Sequence, residues 1–252
     1  MINYVRARAP LRIGIAGGGT DVDPYASQKG GCVFNTTINK YAFCTVKPTN
    51  DSTMKITSPY FGTYENPLDA PIEFGGNNDL ALAVIKHFEV SVGFEITIHS
   101  DVPAGSGLGG SSTMMVAMIS AMSKWLEKDM GPKDVARLAY NLERKELGLS
   151  GGKQDQYAAA YGGFNIMEFG AGDDVNVRQV KMDQDAVNEL QYRSVLCYTG
   201  TPRESAKIID NQIALFKKGE NEGALDESKR LAREISDAME KGDIDFAGRL
   251  LD

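Results

Sequence analysis

The sequence is poor in cysteine and histidine, and it contains no long hydrophobic run. The three cysteines, Cys32, Cys44 and Cys197, are odd in number and form no Cys-x-x-Cys motif. We therefore expect reduced thiols and a cytoplasmic protein. No stretch reaches the roughly 18 apolar residues of a membrane span, and the N-terminus lacks the pattern of a signal peptide. His87 and His99 lie near no cluster with metal-ligand spacing, so we assign them no role.

Positive charge is also scarce in this chain. Its 27 lysines and arginines face 34 acidic residues, which gives a formal net charge of −7 over 252 residues. This balance argues against a non-specific nucleic-acid binder, which needs a basic surface. The length suits one large domain or two smaller ones. A polar stretch at 183–194 places the predicted boundary near 190, between domains 1–190 and 191–252.

The hydrophobic periodicity indicates an α+β chain. Alternating apolar residues predict strands at 11–15 and 94–99, the segments 40–47 and 53–57 are strand-like, and 195–198 reads as a short apolar strand. Apolar residues three or four apart predict helices, and these segments are 111–128, 132–147, an alanine-rich stretch after 156, and much of 203–252. Met115, Met118, Met122 and Trp125 form the stripe of the first helix, which we expect to be plain core.

The stretch P-A-G-S-G-L-G-G-S-S at 103–112 is the most distinctive part of the sequence. It holds four glycines and three serines between a predicted strand and a predicted helix. A glycine-rich loop that leads into a helix is typical of a phosphate-binding site. The nucleotide-binding P-loop needs a lysine beside its last glycine. No lysine occurs in 103–112, so this is not a P-loop.

The same loop also matches the dinucleotide-binding pattern G-x-G-x-x-G. Gly105, Gly107 and Gly110 have the required spacing. That motif needs a second strand that ends in an acidic residue about 20 positions on. Glu127 and Asp129 lie near this distance, but they end a helix and another helix follows. The missing strand makes an NAD-binding oxidoreductase a weak alternative.

A lysine-free kinase loop is the third interpretation. Backbone N–H groups would then wrap the nucleotide phosphates, and the helix that starts at Ser111 would add the positive end of its dipole. A serine hydroxyl at the helix start can bind Mg²⁺, which prefers hard oxygen ligands. The alternative is a glycine-rich turn in which Ser111 or Ser112 is a simple N-cap.

Three separate motifs together resemble the GHMP small-molecule kinases. They are Arg12 with G-G-G-T-D at 17–21, the loop at 103–112, and L-E-R followed by G-G-K-Q-D-Q within 142–156. The resemblance covers most of residues 6–210. It implies an α+β fold of two domains: an N-terminal domain like domain 2 of ribosomal protein S5, and a ferredoxin-like C-terminal domain.

The sequence departs from the family pattern in two ways. The family's third glycine-rich motif, near its C-terminus, is absent, and the chain stops at Asp252 inside what looks like a helical part of the second domain. We therefore expect the C-terminal domain to be incomplete in this chain. The family loop often reads G-L-G-S-S, whereas here an extra glycine, Gly110, replaces the first small polar residue.

The resemblance assigns the nucleotide and metal ligands. Mg²⁺ would be held by Ser112 and Glu143, although a glutamate in a helix is often simply solvated. ATP would be bound by the loop residues Pro103, Gly105, Ser106, Gly107, Leu108, Gly109, Gly110, Ser111 and Ser112.

The resemblance also assigns the catalytic and substrate-binding residues. Asp155 would be the catalytic aspartate that accepts or orients the proton of a sugar hydroxyl, and Arg12 would stand beside it. The alternative is that the two form only a structural ion pair. The substrate-binding residues would be Gly18, Gly19, Thr20, Asp21, Gly151, Gly152 and Lys153.

Two of these substrate assignments have a specific chemistry. Asp21 can accept hydrogen bonds from two sugar hydroxyls, and Lys153 would bind the substrate's own phosphate. The alternatives are that Thr20 and Asp21 merely cap a turn, and that Lys153 is a surface lysine.

Two stretches narrow the resemblance within the family. Residues 8–25 and 151–159 look most like the sugar kinases that act on D-glycero-D-manno-heptose 7-phosphate, and fucose kinases are similar there. The implied activity is ATP-dependent phosphorylation of a sugar phosphate, at its anomeric hydroxyl, for surface-glycan synthesis. The alternatives are a fucose-type kinase and a catalytically silent GHMP-fold binding protein. We expect a small-molecule partner, no nucleic acid or membrane, and either a monomer or a homodimer.

Overall fold

A mixed β-sheet with helices on both faces forms the framework of the protein. The computed structural model describes residues 4–172, 174–200 and 205–252. The sheet has seven strands in the order β4-β3-β5-β2-β6-β7, with β1 paired to β2. The strands are β1 (Val5–Ala16), β2 (Gly31–Pro48), β3 (Thr53–Ser58), β4 (Gly62–Pro67), β5 (Phe94–Ser100), β6 (Phe164–Phe169) and β7 (Val175–Gln179). The predicted α+β class is confirmed.

The helices follow the predicted order, with several that the sequence pattern did not reveal. They are α1 (Tyr25–Lys29), α2 (Asp79–Phe88), α3 (Gly110–Trp125), α4 (Pro132–Tyr140), α5 (Gln154–Tyr161), α6 (Gln184–Arg193), α7 (Ser205–Lys217), α8 (Glu222–Glu240) and α9 (Ile244–Arg249). A π-helical segment, Asn141–Glu146, directly continues α4. Of the helical stretch predicted at 203–252, positions 203 and 204 lie outside the described residues.

The long strand β2 organises the sheet. Its first half pairs with β6, its second half pairs with β5, and β1 runs antiparallel along most of its length. The register between β1 and β2 shifts between Pro10 and Arg12. Such bulges re-aim neighbouring side chains and are common beside active sites. The shift precedes Arg12, one of the predicted catalytic residues.

The main hydrophobic core lies where α2 and α3 pack against the sheet. Met115, Met118 and Met122 are fully buried in it. Their side chains recur on one face of α3 and fill the space against β1 and β2, which confirms the expected core role of Met115 and Met122, whereas Met118 also lines a cavity.

A second hydrophobic cluster joins the C-terminal helices to the sheet. Cys32 and Phe34 of β2 and Ile166 of β6 pack with Ala232 and Ile235 of α8. Helices after the predicted boundary near 190 therefore pack directly on strands that precede it. The division at that position remains a prediction.

The strand predicted at 195–198 is wrong. These residues have no regular secondary structure, and Val195, Leu196 and Tyr198 are exposed. An apolar run becomes a strand only when a neighbouring strand accepts its backbone hydrogen bonds, and no described strand pairs with this segment. None of the helices within the described ranges is both long enough and apolar enough to cross a membrane.

Candidate active site

The glycine-rich loop forms a backbone arch between β5 and α3. Gly105, Gly107 and Gly109 have φ angles of 76°, 78° and 75°. Residues other than glycine rarely adopt this left-handed backbone conformation, which explains why glycines occupy these positions. The backbone N–H of Arg12 donates to the Leu108 carbonyl at 3.2 Å and ties the arch to β1.

Helix α3 begins at Gly110 without a side-chain cap. The backbone N–H groups of a first helical turn have no partner inside the helix, and the dipole there favours an anion. The hydroxyls of Ser111 and Ser112 instead donate to Glu143, at 2.7 and 2.6 Å. Neither serine is therefore an N-cap, and the α3 start remains available to a phosphate.

Glu143 is a buried carboxylate and not a solvated helix residue. Its side chain is 0% exposed and lies in the π-helical segment. Gln156 of α5 donates an amide hydrogen to Glu143 Oε2 at 2.7 Å, and its Nε2 lies 3.0 Å from the Ser112 hydroxyl. Three polar groups from two helices thus fix this carboxylate behind the loop.

The donor set at this point suits Mg²⁺ chemically. It consists of one carboxylate and two hydroxyls, Glu143, Ser111 and Ser112, all hard oxygen ligands. Mg²⁺ is usually held by one or two carboxylates together with waters and substrate phosphates. The described residues contain no group of three or more His, Cys, Asp or Glu side chains that could hold a metal by themselves. A metal here would therefore depend on nucleotide oxygens.

Arg12 and Asp155 form an ion pair on the wall of the cavity. Arg12 Nε and Nη2 lie 2.8 and 2.7 Å from Asp155 Oδ1, and the two side chains are only 15% and 18% exposed. Arg12 Nη1 also donates to the Gly107 carbonyl at 2.8 Å. One guanidinium thus connects the glycine-rich loop to the predicted catalytic aspartate, which lies in the first turn of α5.

Asp21 is buried but faces the same cavity. The backbone N–H of Gln154 donates to its Oδ2 at 3.0 Å, and the Gln154 side-chain amide donates to its Oδ1 at 3.3 Å. A Cβ at position 152 would lie 1.9 Å from Oδ2, so a larger residue there would displace the Asp21 carboxylate from these hydrogen bonds. Burial raises the pKa of Asp21 above its ordinary value, and the Gln154 N–H opposes that rise.

Two predicted substrate residues lie elsewhere. Thr20 is buried, its hydroxyl can donate to the carbonyl of Gly17 or Cys32, and it accepts from Cys32 N–H. Lys153 is buried as well, and its ammonium donates to the Gly172 carbonyl at 2.7 Å. Neither side chain lines the cavity. The Thr20 hydroxyl bonds within a turn and the Lys153 ammonium bonds the segment before β7, and their assignment to the substrate stays a prediction.

Arg144 is a cavity-lining cation that the sequence analysis did not select. Its guanidinium stacks on Gly151, where a Cβ would lie 2.2 Å from Cζ. It donates to the Ser150 carbonyl at 3.2 Å, and its Nη2 lies 3.4 Å from the Ser112 hydroxyl. Arg144 therefore connects the predicted metal ligands to the predicted substrate loop. The L-E-R motif contained it, but spacing alone did not distinguish it from neighbouring charged residues.

Most of these groups line one cavity of about 890 Å³. The predicted site residues that do not line it are Thr20, Leu108, Ser112, Glu143 and Lys153. Beyond the loop the cavity continues between the β3–β4 turn, α2 and α3. The lining at that end combines apolar, aromatic and amide side chains: Tyr60, Phe61, Asn77, Asn78, Leu80, Met114 and Met118.

Sequence comparison identifies relatives along nearly the whole chain. The family model described as GHMP kinases N terminal domain matches residues 79–163. The chain is 35% identical to D-glycero-alpha-D-manno-heptose 7-phosphate kinase of Campylobacter jejuni, over 98% of this chain and 75% of that protein. It is 23% identical to the bifunctional fucokinase/GDP-fucose pyrophosphorylase of Arabidopsis thaliana, over 98% of this chain and 25% of that protein.

Solved structures give the same result. A D-glycero-D-manno-heptose 1-phosphate kinase from Bacteroides thetaiotaomicron superposes with a TM-score of 0.85 at 40% identity, over 98% of this chain and 76% of that one. A mevalonate kinase superposes with a TM-score of 0.68 at 18% identity, over 98% and 76%, which shows the shared fold alone. Because the chain is 35% identical to a heptose phosphate kinase over nearly its whole length and matches the GHMP kinase N-terminal domain model, it belongs to the GHMP kinase family.

Proposed function

We propose that the protein transfers the γ-phosphate of ATP to a hydroxyl of a sugar phosphate, with D-glycero-D-manno-heptose 7-phosphate as the best candidate. The observation that carries the proposal is the Arg12–Asp155 ion pair, which contacts the glycine-rich loop and lines one cavity with the predicted acceptor residues. This arrangement puts a proton acceptor next to a phosphate-binding loop, as phosphoryl transfer requires.

The nucleotide occupies the half of the cavity around the glycine-rich loop. The backbone N–H groups of the loop and the start of α3 bind the phosphates. The apolar and amide lining around Asn78 and Leu80 takes the base. When bound, Mg²⁺ would be held by Ser112 and Glu143 and would neutralise charge on the phosphate oxygens.

The acceptor lies on the other side of Asp155. Asp21 accepts hydrogen bonds from sugar hydroxyls, and the glycines at 18, 19, 151 and 152 allow the sugar to approach the backbone. The Asp155 carboxylate orients the reacting hydroxyl and accepts its proton as the oxygen bonds to the γ-phosphorus and ADP leaves. Arg12 compensates negative charge on both Asp155 and the transferring phosphoryl group.

The names of two relatives support a choice of reacting hydroxyl. One name has a phosphate at carbon 7 of the heptose and the other has a phosphate at carbon 1. An anomeric hydroxyl on a heptose 7-phosphate relates the two names as substrate and product positions. We therefore propose the anomeric hydroxyl as the acceptor.

One observation favours the fucose-type alternative. Lys153, the expected partner of the substrate's own phosphate, is buried against the Gly172 carbonyl and away from the cavity. Fucokinase relatives are also found along 98% of the chain. A coupled assay of ADP release decides between the two acceptors when it compares heptose 7-phosphate, the unphosphorylated heptose and L-fucose.

Replacement of Asp155 tests the mechanism. Asp155→Asn keeps the shape of the side chain but cannot accept the proton, so we expect kcat to fall by about 10²- to 10⁴-fold. ATP affinity measured by calorimetry should change by no more than a few-fold, because the loop backbone is untouched. Asp134→Asn, an exposed aspartate in an ion pair on α4, is the matched control. Normal kcat in Asp155→Asn would return the Arg12–Asp155 pair to a purely structural role.

A further inference from the structure

Helix α7 contacts both loops that form the acceptor side of the site. Gln212 Nε2 donates to the Gly19 carbonyl at 2.8 Å. Two residues earlier, Asp210 accepts a hydrogen bond from the Ser150 hydroxyl at 2.8 Å. The first bond reaches the 17–21 loop and the second reaches the 150–152 loop. Since α7 bonds to both loops at once, its position is fixed relative to any acceptor bound between them.

The C-terminal part of α7 is anchored in the body of the protein. Phe216 is buried and makes an edge-to-face contact with Tyr25, at 5.4 Å between ring centroids. Leu225 completes this small cluster, and Asn221 donates to the Gln212 carbonyl at 3.1 Å. The helix is therefore a built wall of the cavity and not a loosely placed surface element.

The first turn of α7 presents apolar side chains to the cavity. Ile208 and Ile209 lie four and three residues before Gln212, so they share its face of the helix. Both line the cavity, and Ile208 is 60% exposed. A large aliphatic side chain exposed in a cavity is typical of a ligand-binding wall. The remaining acceptor groups, Asp21 and the glycine backbone, are polar and can bind hydroxyls but not carbon.

We propose that α7 is the acceptor-selecting wall of the site. Ile208 and Ile209 contact the carbon skeleton of the sugar beyond the reacting hydroxyl, and Gln212 positions the Gly19 loop that binds its hydroxyl groups. The inference rests on the proposed sugar-kinase function. According to this proposal, aliphatic contacts select the number of carbons in the sugar. An acceptor with a seventh carbon buries surface on Ile208 that a six-carbon sugar leaves exposed.

Truncation of the isoleucines tests the wall. In Ile208→Ala and Ile209→Ala we expect KM for heptose 7-phosphate to rise about 10-fold, since removed methylenes in an apolar pocket cost roughly 10- to 200-fold in discrimination. KM for ATP and kcat should stay within about 2-fold, and KM for a hexose 6-phosphate should change little. Val92→Ala, an exposed β-branched residue outside the cavity, is the matched control.

Replacement of Gln212 tests the positioning role. Gln212→Ala removes the donor to the Gly19 carbonyl, so we expect a higher KM for every sugar acceptor at unchanged KM for ATP. A purely structural contact would lower the thermal midpoint without this split between the two substrates. Ile208→Val gives a milder variant of the wall if Ile208→Ala does not fold.

The possible outcomes separate the two proposals. If the wild-type protein phosphorylates no heptose phosphate but another sugar, the proposed substrate is wrong. The α7 variants are then compared on that sugar against ATP. A rise in the acceptor KM alone supports the wall. Equal changes for acceptor and ATP, or no change in either, overturn the inference while the kinase function stands.

Discussion

The Asp21 carboxylate is buried and also lines the cavity, and we expect its burial to affect the stability of the protein. Burial raises its pKa above the ordinary value of 3.8. The folded state therefore holds the Asp21 proton to higher pH than the unfolded state, and stability falls as the pH rises through that window. Gln154 Oε1, beside it, is buried without a hydrogen-bond partner. An amide in place of the Asp21 carboxylate could donate to this oxygen.

Asp21→Asn should stabilise the protein while it weakens acceptor binding. The Asn amide removes the buried charge, and its NH₂ group can donate to Gln154 Oε1 after a small rearrangement. We expect the thermal midpoint to rise by about 2–8 °C at pH 7.5, on a scale of roughly 2–4 °C per kcal/mol for a chain of this size. The gain should shrink as the pH falls through the raised pKa of Asp21, because the folded wild-type protein then carries no charge at this position.

Asp51, whose pKa is lowered where that of Asp21 is raised, provides the control for Asp21→Asn. Hydrogen bonds from the Thr49 hydroxyl and from Thr53 lower the pKa of exposed Asp51. Asp51→Asn should therefore lose stability at neutral pH and approach the wild-type midpoint in acid. The same pH-independent shift in both variants would contradict the assigned role of burial at Asp21.

At single residues, the sequence predicts most where a motif fixes both type and spacing. Arg12, Glu143 and Asp155 were selected from the sequence, and the structure brings them around one loop. The structure places Thr20 and Lys153 outside the cavity lining, because a motif gives the position of a residue but not the direction of its side chain. Lys153 immediately precedes α5, and its side chain turns toward Gly172, on a segment with no motif.

At the scale of elements, the π-helical segment is the feature that the sequence did not reveal. The apolar stripe of Val135, Ala139 and Leu142 continues without a break into it. The wider turn after α4 places Glu143 and Arg144 on the cavity side, and single π turns are frequent at functional sites. Hydrophobic periodicity detects burial, so it cannot detect one extra residue in a turn.

Glu143→Gln should specifically weaken binding of the metal–nucleotide complex. The Gln amide offers one oxygen where Glu143 offers two, so one of the donors from Ser111, Ser112 and Gln156 loses its acceptor. We expect calorimetry to show at least about 10-fold weaker binding of ATP in the presence of Mg²⁺, with little change in its absence. Glu146→Gln, an exposed residue of the same segment that pairs with Lys86, is the matched control. Equal losses with and without Mg²⁺ would argue against a metal role for Glu143.

At the scale of the whole molecule, local patterns predicted the sheet-and-helix class but not the assembly of its parts. Strands 40–47 and 94–99 pair across the sheet centre as β2 and β5, which alternation alone cannot specify. The predicted strand at 195–198 failed because strand formation depends on a partner outside the segment. The boundary near 190 came from polarity, which reports on solvent exposure and carries no information about what packs on the sheet.

The shared core predicts that the C-terminal helices and the sheet unfold together. Ile235 of α8 is fully buried against Cys32 and Phe34 of β2. Ile235→Ala leaves a cavity in this interface and should cost about 2–5 kcal/mol. Urea unfolding can be followed by far-UV circular dichroism and by Trp125 fluorescence. If the cluster couples the C-terminal helices to the sheet, the unfolding midpoint of Ile235→Ala should be lower in both signals. Trp125 packs against Phe94, in the other core on the far side of the sheet, so it reports on the N-terminal part alone. Ile208→Ala is the control, because it removes the same atoms from a side chain that is 60% exposed at the cavity surface. Should only the circular dichroism signal move, with the fluorescence midpoint unchanged, the helices after 190 would be an independently folding unit and the predicted domain boundary would be the better description.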